Sequence, residues 1–181
     1  MRGHSRTWEL NLDAMTPALC VGGRYPMEAA AYLAGHLGIR SVVDVRVEDC
    51  DDERVLRRHG ITLLHLPTQD TCAIRLPMLL DGVAWVRSRL QRQEKVLIHC
   101  EHGIGRSALL ALCVLVEDGL APLEALSLAK RRRRRVSPSP EQLTAFIAYT
   151  RALRDSRDVP WEVPAFDALA DIAYSHLRQD G

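Results

Sequence analysis

The sequence predicts an α/β protein in which a central, mostly parallel twisted sheet of four to five strands carries helices on both faces. Short β-branched or apolar runs alternate with longer segments of helical periodicity along the chain. Several of these runs are apolar throughout, as strands are when both faces of a sheet are covered. The length of 181 residues suits about one domain, and no long linker divides the chain.

The first half of the chain alternates three strands with two helices. Pro26 opens the first helical pattern and Gly38 closes it, which are the positions that these residues favour at helix ends. The predicted elements are a strand closed by Cys20–Gly23, a helix over 26–37, a strand over 41–47, a short helix ending at Gly60 after an acidic stretch over 48–53, and a strand over 61–66.

The second half contains one strand and mostly helices. The segment 107–118 is apolar nearly all round, which predicts a helix buried in the core. A weaker amphipathic pattern after Val159 predicts a helix that docks on the domain through Phe166, Leu169, Ile172, Ala173 and Leu177. The other predicted elements are a helix over 77–93, a strand over 95–98, and helices over 122–135 and 140–154.

These patterns divide the chain into an N-terminal extension (1–18), a globular domain (19–155) and a C-terminal turn with a docking helix (156–181). The first 13 residues lack the apolar run of a secretory signal, and no run reaches the roughly 18 apolar residues of a membrane span. Five cysteines without a Cys-x-x-Cys pair indicate free thiols, and we therefore expect a cytoplasmic protein. A net charge of +1 favours neither nucleic acid nor a membrane as partner.

The most informative segment spans residues 96–107 and reads V-L-I-H-C-E-H-G-I-G-R-S. The spacing Cys-x5-Arg is weak evidence by itself, because a chain with 5 cysteines and 22 arginines is expected to contain ~0.6 such matches by chance. The His before the Cys, the two glycines and the Ser after the Arg lower that expectation to ~10⁻⁵. A buried strand leads into the segment and a helix follows it, so the structural context agrees.

A loop of this kind is suited to a phosphate dianion. Its backbone N–H groups turn inward, and the N-terminus of the following helix adds partial positive charge. Gly103 and Gly105 allow the backbone to approach the ligand closely. Cys100 lies at the bottom, where the same field favours a nucleophilic thiolate. Arg106 can fork two phosphoryl oxygens, and the Ser107 hydroxyl can donate to the sulfur when it leaves.

Phosphoryl transfer to sulfur also needs an acid to protonate the departing oxygen and a base to activate water. Asp70 is the candidate, thirty residues before Cys100 and just past the third predicted strand. If that strand and the one leading into the loop are neighbours in a parallel sheet, both residues lie at the same edge. Asp81 is a weaker candidate because it falls inside a helix. His99 points away from Cys100 and is predicted to brace the loop by hydrogen bonds.

These motifs resemble the cysteine-dependent protein phosphatases, within them the compact dual-specificity branch, and are similar to cyclin-dependent-kinase-associated phosphatase and small bacterial enzymes. The resemblance implies that family's single-domain fold over 19–155, without metal or cofactor. It implies that Cys100 is the nucleophile that forms a phosphocysteine, Arg106 the phosphate clamp, Asp70 the general acid and Ser107 the leaving-group helper. It rests on 19–23, 42–46, Asp70, 99–107 and 137–143, and departs from the family pattern at Ala108, where Gly is common.

The resemblance also bears on the substrate, which would contact the loop residues Glu101, His102, Gly103, Ile104 and Gly105. Phosphoinositide phosphatases of the superfamily often carry Lys at the positions of Glu101 and Ile104, and an acidic residue at the cavity mouth argues against a heavily phosphorylated ligand. No aromatic N-terminal loop deepens the pocket for phosphotyrosine alone. We therefore expect a phosphoprotein or phosphopeptide partner carrying phosphotyrosine, or also phosphoserine and phosphothreonine.

Other functions use a similar loop. The same cradle could hydrolyse a lipid head group, a nucleotide or an RNA 5′ end. A non-catalytic phosphopeptide-binding module is less favoured because nucleophile, clamp and acid are all present. A sulfurtransferase is less favoured because Asp70 and the flanks of the loop would have no purpose in it.

Two further groups of residues have open roles. The run Arg131–Arg135 is interpreted as a solvated helix face, with attraction of an acidic substrate as the alternative. Cys50, Cys72 and Cys113 are either inert thiols or partners of Cys100 in a disulfide formed under oxidation.

Overall fold

A computed structural model describes residues 8–178 and contains one five-stranded sheet. The strands are β1 (Leu12–Thr16), β2 (Leu19–Gly22), β3 (Ile39–Arg46), β4 (Thr62–Thr68) and β5 (Lys95–His99). Their order is β1-β2-β5-β3-β4, with β1 antiparallel to β2 and the other neighbours parallel. The predicted α/β class and the mostly parallel sheet are confirmed.

Seven α-helices and two short 3₁₀ turns complete the described part of the chain. The helices are α1 (Ala30–Gly35), α2 (Glu53–Arg58), α3 (Leu76–Gln91), α4 (Arg106–Glu117), α5 (Pro122–Arg132), α6 (Pro140–Ser156) and α7 (Phe166–Ala173), and the 3₁₀ turns are Met27–Ala29 and Ser175–Arg178. No helix within residues 8–178 has the length and apolar character needed to cross a membrane.

The helices cover both faces of the sheet. Helices α1 and α2 pack on one face and α3 to α7 on the other. Successive side chains of a strand point to opposite faces of the sheet, so one strand contributes to the cores on both faces. In β3, Val42 packs in the core under α1 and α2, and Val43 packs in the core under α3 to α7. Burial of apolar side chains on both faces leaves only the sheet edges for polar chemistry.

Helix α4 lies at the centre of the larger core. Every residue from Arg106 to Val116 is buried, which confirms the prediction made from its all-round apolar sequence. In the C-terminal segment, Leu169 and Ala173 of α7 pack into the same core, while Leu177 is 64% exposed.

The helix predicted over 26–37 is a 3₁₀ turn followed by the shorter α1, and two further elements differ from the predictions. Strand β1 lies inside the segment assigned to an N-terminal extension, and it lacks an apolar run because only Met15 is buried. The helix predicted to reach Arg135 ends at Arg132, since Arg133 takes an extended conformation with φ −142° and ψ 91°.

Strand β3 lies between β5 and β4, so the strands that lead to Cys100 and Asp70 are not neighbours. All three strands are parallel and end at the same edge of the sheet. The segment after β3 therefore joins the loops after β4 and β5 at that edge, where open α/β sheets bind ligands.

Candidate active site

The loop between β5 and α4 surrounds the sulfur of Cys100. That side chain is buried, and its Sγ accepts a hydrogen bond from the Gly103 amide at 3.2 Å and lies 3.2 Å from the Ser107 hydroxyl. A small cavity of about 180 Å³ opens above the loop. Its lining residues are Asp70, Thr71, Cys100, His102, Ile104, Gly105, Ser137, Ser139 and Gln142.

Every carbonyl from Glu101 to Gly105 accepts a hydrogen bond from outside the loop. The donors, in order, are Arg24 N (3.0 Å), Arg133 Nη2 (2.9 Å), Arg133 Nε (2.7 Å), Ser137 N (2.9 Å) and Leu109 N (2.9 Å). Because the carbonyls are held outward, the amides of the loop are free to face the cavity. Convergent backbone N–H groups of this kind form an anion-binding concavity.

Arg133 corrects the interpretation of Arg131–Arg135 as a wholly solvated face. Its side chain is buried beneath the loop, and it also donates to Asp13 Oδ2 at 2.8 Å and Asn11 Oδ1 at 2.6 Å. The extended backbone at Arg133 turns this side chain away from the solvent side of α5. The other four arginines of the run are exposed.

Two glycines are required by close packing around the loop. Gly103 has φ +68°, and a Cβ there would lie 2.4 Å from the Gly22 carbonyl carbon. A Cβ at Gly105 would lie 2.4 Å from Gln142 Oε1. A side chain at Gly103 would push the loop away from the β2 backbone, and one at Gly105 would displace the Gln142 amide.

Arg106 is buried at the start of α4 and is held by the segment after β3. Its Nη1 and Nη2 each donate to a carboxylate oxygen of Glu48 at 2.7 Å, and Nη1 also donates to the Thr68 carbonyl at 2.8 Å. Its Nε has no hydrogen-bond partner among residues 8–178. The guanidinium therefore approaches an oxyanion with its orientation already set and with a buried donor unused.

The pairing with Arg106 lowers the pKa of Glu48 to about 2. Because the pKa is lowered, Glu48 stays ionised and the pair stays intact until the pH falls to about 2. Burial alone would lower the pKa of Arg106, but the hydrogen bond to Glu48 and the charge of Cys100 raise it. The clamp is thus permanently charged.

Sequence analysis missed Glu48, which it placed only in an acidic stretch leading to a helix. The signal that could have identified it is the strand order. A carboxylate just past the strand between β5 and β4 reaches the start of α4, although the two residues are 58 positions apart.

Asp70 lines the same cavity as Cys100. Its Oδ1 lies 3.5 Å from Nη2 of Arg106, and its side chain is 63% exposed. The rival carboxylate, Asp81, is exposed on α3 and does not line this cavity. The structure therefore brings together Asp70, Arg106 and Cys100 at one edge of the sheet.

The start of α6 holds the loop that carries Asp70. Ser139 Oγ donates to the Thr71 carbonyl at 2.6 Å, Gln142 Nε2 donates to the Cys72 carbonyl at 3.0 Å, and Glu141 accepts from the Ala73 amide at 3.0 Å. Thr71 has φ +62°, which is unusual for a β-branched residue and persists only where the surroundings hold it. The loop is thereby fixed immediately next to Asp70.

His99 lies behind the phosphate loop in a buried polar cluster. Its Nε2 is 2.7 Å from Asp51 Oδ2, and its Nδ1 is 3.4 Å from the Cys100 carbonyl. Tyr25 donates to the same Asp51 oxygen at 2.6 Å. Burial alone would raise the pKa of Asp51, but the hydrogen bonds and charge of His99, together with Tyr25, lower it. His99 therefore faces an ionised carboxylate that fixes its ring.

Glu101 does not lie at the cavity mouth as the sequence suggested. Its carboxylate is 3.2 Å from Arg24 Nε and 3.7 Å from Arg46 Nη1, and it is absent from the residues that line the cavity. Of the five loop residues expected to contact substrate, His102, Ile104 and Gly105 line the cavity. Gly103 supports the sulfur through its amide.

The five cysteines are free thiols in this structure. Cys113 is fully buried in α4, and burial raises the pKa of its thiol well above the usual value. Cys72 lines a neighbouring cavity with Met78 and Arg75 rather than the one above Cys100. Cys50 is exposed.

The carboxylate of Asp44 comes close to possible metal ligands in two groups, one with Cys50 and His65 and one with Asp51 and His99. Both oxygens of Asp44 already accept hydrogen bonds, three from Arg46 and one from the Asp51 amide. These donors occupy the lone pairs that a metal would need, so we assign no metal to either group.

The family model "dual specificity phosphatase, catalytic domain" matches residues 25–152. The chain therefore belongs to the dual-specificity phosphatases, a branch of the cysteine phosphatases. This confirms the resemblance noted in the sequence.

Individual proteins agree with this family. The probable dual specificity protein phosphatase H1 homolog of fowlpox virus is 33% identical over 63 residues, which is 34% of this chain and 38% of that protein. The chain spans about a third of the length of the curated relatives it matches.

Solved structures show the same fold. PTPMT1 in complex with PI(5)P has a TM-score of 0.75 at 20% identity and covers 80% of this chain and 97% of its own. Kinase associated phosphatase has a TM-score of 0.69 at 16% identity and covers 83% of this chain and 98% of its own.

Proposed function

We propose that this protein hydrolyses phosphotyrosine, and also phosphoserine and phosphothreonine, in phosphoproteins through a phosphocysteine intermediate. The observation that carries the proposal is a cavity lined by Cys100, Asp70 and residues of the phosphate loop, with the buried Arg106 guanidinium 3.5 Å from the Asp70 carboxylate. Attack by sulfur, binding of three phosphoryl oxygens and proton transfer to a leaving group each have a residue in place.

In the first step the Cys100 thiolate attacks phosphorus, so that a P–S bond forms as the P–O bond to the leaving group breaks. Asp70 gives its proton to the departing oxygen. The loop amides and Arg106 stabilise the charge that spreads over the remaining oxygens. Glu48 keeps the guanidinium in the orientation that this requires.

In the second step water attacks the phosphocysteine while Asp70 accepts its proton. The P–S bond breaks, inorganic phosphate leaves, and the sulfur returns as a thiolate. The Ser107 hydroxyl, 3.2 Å from Sγ, donates to the leaving sulfur. No redox step or external co-reactant other than water is required.

The shape of the cavity supports phosphoproteins as substrates. It is about 180 Å³, and no Phe, Tyr or Trp is among its lining residues, so no large aromatic side chain holds a short phosphoserine away from Cys100. PTPMT1 was solved with the phosphoinositide PI(5)P, but at 20% sequence identity its similarity to this chain is evidence for a shared fold and not for a shared substrate. The loop here offers Ile104 to the cavity where a lysine would favour a polyphosphorylated head group.

A substrate panel tests this proposal. We expect kcat/KM to be at least about tenfold higher for phosphotyrosyl and phosphothreonyl peptides than for PI(5)P, a nucleoside monophosphate or a 5′-phosphorylated RNA, a difference of about 1.4 kcal/mol in transition-state binding. Release of inorganic phosphate measures every substrate in the same way. A preference for any of the non-protein phosphates would overturn the assignment of substrate.

Replacing Asp70 with Asn should slow hydrolysis most for esters whose leaving group has to be protonated by an acid. We expect a loss of roughly 10²- to 10³-fold in kcat/KM with phenyl phosphate, whose leaving group needs a proton, and a much smaller loss with a nitrophenyl phosphate. The matched control is Asp81→Asn, which changes an exposed carboxylate outside the cavity. Equal losses with both esters would show that Asp70 is not the acid.

A further inference from the structure

The structure leaves three cations of the basic run at 130–135 without a structural role. Lys130 lies within 2.9 Å of the carbonyls of Arg134, Val136 and Ala173, and so joins the end of α5 to α7. Arg133 supports the phosphate loop from below. Arg131, Arg132 and Arg135 are exposed and make no ion pair with any residue that the structure describes.

These three arginines, here called the arginine rim, lie at the same edge of the sheet as the phosphate loop. Helix α4 runs away from the loop for 12 residues, and α5 returns beside it for 11, lengths of roughly 18 and 16 Å. The end of α5 therefore comes back to the level of Cys100.

Contacts made by the residues next to the rim fix its position more closely. Arg132 and Arg133 are adjacent, and Arg133 donates to the loop carbonyls of His102 and Gly103. Farther along the chain, Arg135 is two residues before Ser137. The Ser137 amide donates to the Ile104 carbonyl, and Ser137 also lines the cavity. Two residues of chain span at most about 7 Å, so Arg135 begins at the wall of the cavity.

Helix stabilisation alone does not account for the rim. Cations in the last turn of a helix interact favourably with its dipole, and Arg131 and Arg132 lie in that turn. Arg135 lies beyond the last residue of α5. The planar fork of Arg also suits a carboxylate, which it can bind through two N–H groups.

The charge around the cavity is asymmetric. The segment after β3 carries carboxylates that are mostly paired, Glu48 with Arg106 and Asp49 with Arg46. A peptide whose phosphorylated residue enters the cavity thus meets cations unpaired within residues 8–178 on the α5 side and mostly compensated charges on the β3 side. Such an asymmetry favours acidic residues on one flank of the phosphorylated residue over the other.

We propose that the arginine rim binds acidic residues that flank the phosphorylated residue of a peptide substrate. The inference rests on the proposed phosphoprotein phosphatase activity and names the sequence class of its substrates. Its energy comes from several exposed ion pairs, each modest, so that it acts on peptide binding and association more than on the chemical step. Small aryl phosphates do not reach the rim and report the chemistry alone.

The test compares four phosphopeptides that share one phosphorylated residue. Two carry three Glu residues, on the N-terminal or the C-terminal flank, and two carry Gln at the same positions. With the wild-type protein we expect one acidic peptide to have a kcat/KM about tenfold above its Gln counterpart, falling as salt rises. The triple variant Arg131→Gln, Arg132→Gln, Arg135→Gln should reduce that ratio to about one while retaining kcat/KM for an aryl phosphate.

The matched control is the triple variant Arg58→Gln, Arg92→Gln, Arg151→Gln, which removes the same charge from exposed positions elsewhere. It should keep the wild-type ratio. The single variant Arg135→Gln, expected to lower the ratio about twofold, serves if the rim triple fails to fold.

Several outcomes would overturn the inference. They are an unchanged ratio in the rim variant, the same fall in the control triple, and wild-type activity on all four peptides without an acidic preference. If the rim variant lost binding to phosphatidylserine vesicles or to single-stranded RNA but kept the wild-type ratio of kcat/KM between the Glu and Gln peptides, the rim would be assigned to those partners instead. Failure of the wild-type protein on every phosphopeptide would refute the proposed function itself, which is a distinguishable result.

Discussion

Replacing Cys100 with Ser should abolish turnover of an aryl phosphate, with a loss of at least ~10⁴-fold in kcat. A neutral hydroxyl in place of the thiolate is a poor nucleophile. The loop would keep its shape, because its five outward hydrogen bonds are accepted by backbone carbonyls and do not involve the sulfur. The variant should therefore still bind a phosphopeptide, as measured by calorimetry or by fluorescence of a labelled peptide.

Cys50→Ser is the matched control, since it changes an exposed thiol that does not line the cavity and should leave kcat unchanged. Retained turnover in Cys100→Ser would contradict the phosphocysteine mechanism. Loss of both turnover and phosphopeptide binding would point to a collapsed loop. Phosphate should raise the Tm of a variant whose loop is intact and leave the Tm of a collapsed variant unchanged.

Replacing Arg106 with Lys should lower kcat/KM by roughly 10³-fold although the positive charge is kept. A lysine ammonium cannot donate to both oxygens of Glu48 and the Thr68 carbonyl while presenting a further planar N–H to phosphate. Inhibition by vanadate, which resembles the five-coordinate transition state, should weaken by a similar factor. Measured kcat/KM and the vanadate inhibition constant together check this expectation.

The control for this variant is Arg75→Lys, a change at an exposed arginine beside the neighbouring cavity. If Arg106→Lys retained wild-type kcat/KM, charge alone would suffice and the oriented guanidinium would have no catalytic purpose. If KM alone rose, Arg106 would bind ground state and transition state equally.

Local sequence predicted the parts of the site that are built from neighbouring residues. The strand, loop and helix over 95–117 are contiguous, so the glycines, Cys100 and Arg106 carry their arrangement in their order. Helix α4 was equally predictable, because an all-round apolar sequence has no solvated face to offer. The position of Asp70 just past a predicted strand, together with the family resemblance, pointed to this residue as the acid, and the structure places it at the same cavity.

The supports of the site were not predictable because they join distant residues. Glu48 meets Arg106 across 58 positions, and Arg133 meets Asp13 across 120. Both contacts depend on the strand order and on where α5 ends, which periodicity does not determine. Strand β1 was missed for a related reason, since an edge strand with one buried residue lacks a clear alternation.

The outward hydrogen bonds of the phosphate loop bear on how a minimal fragment of this protein could be designed. Arg133 reaches the loop carbonyls while tied to Asn11 and Asp13, so the earliest strand and the end of α5 form one brace. A truncation placed at the first residue of the family match, Tyr25, would keep every residue assigned to chemistry and remove that brace. Fragment boundaries for this protein are better placed ahead of Asn11 than at the margins of the recognised domain.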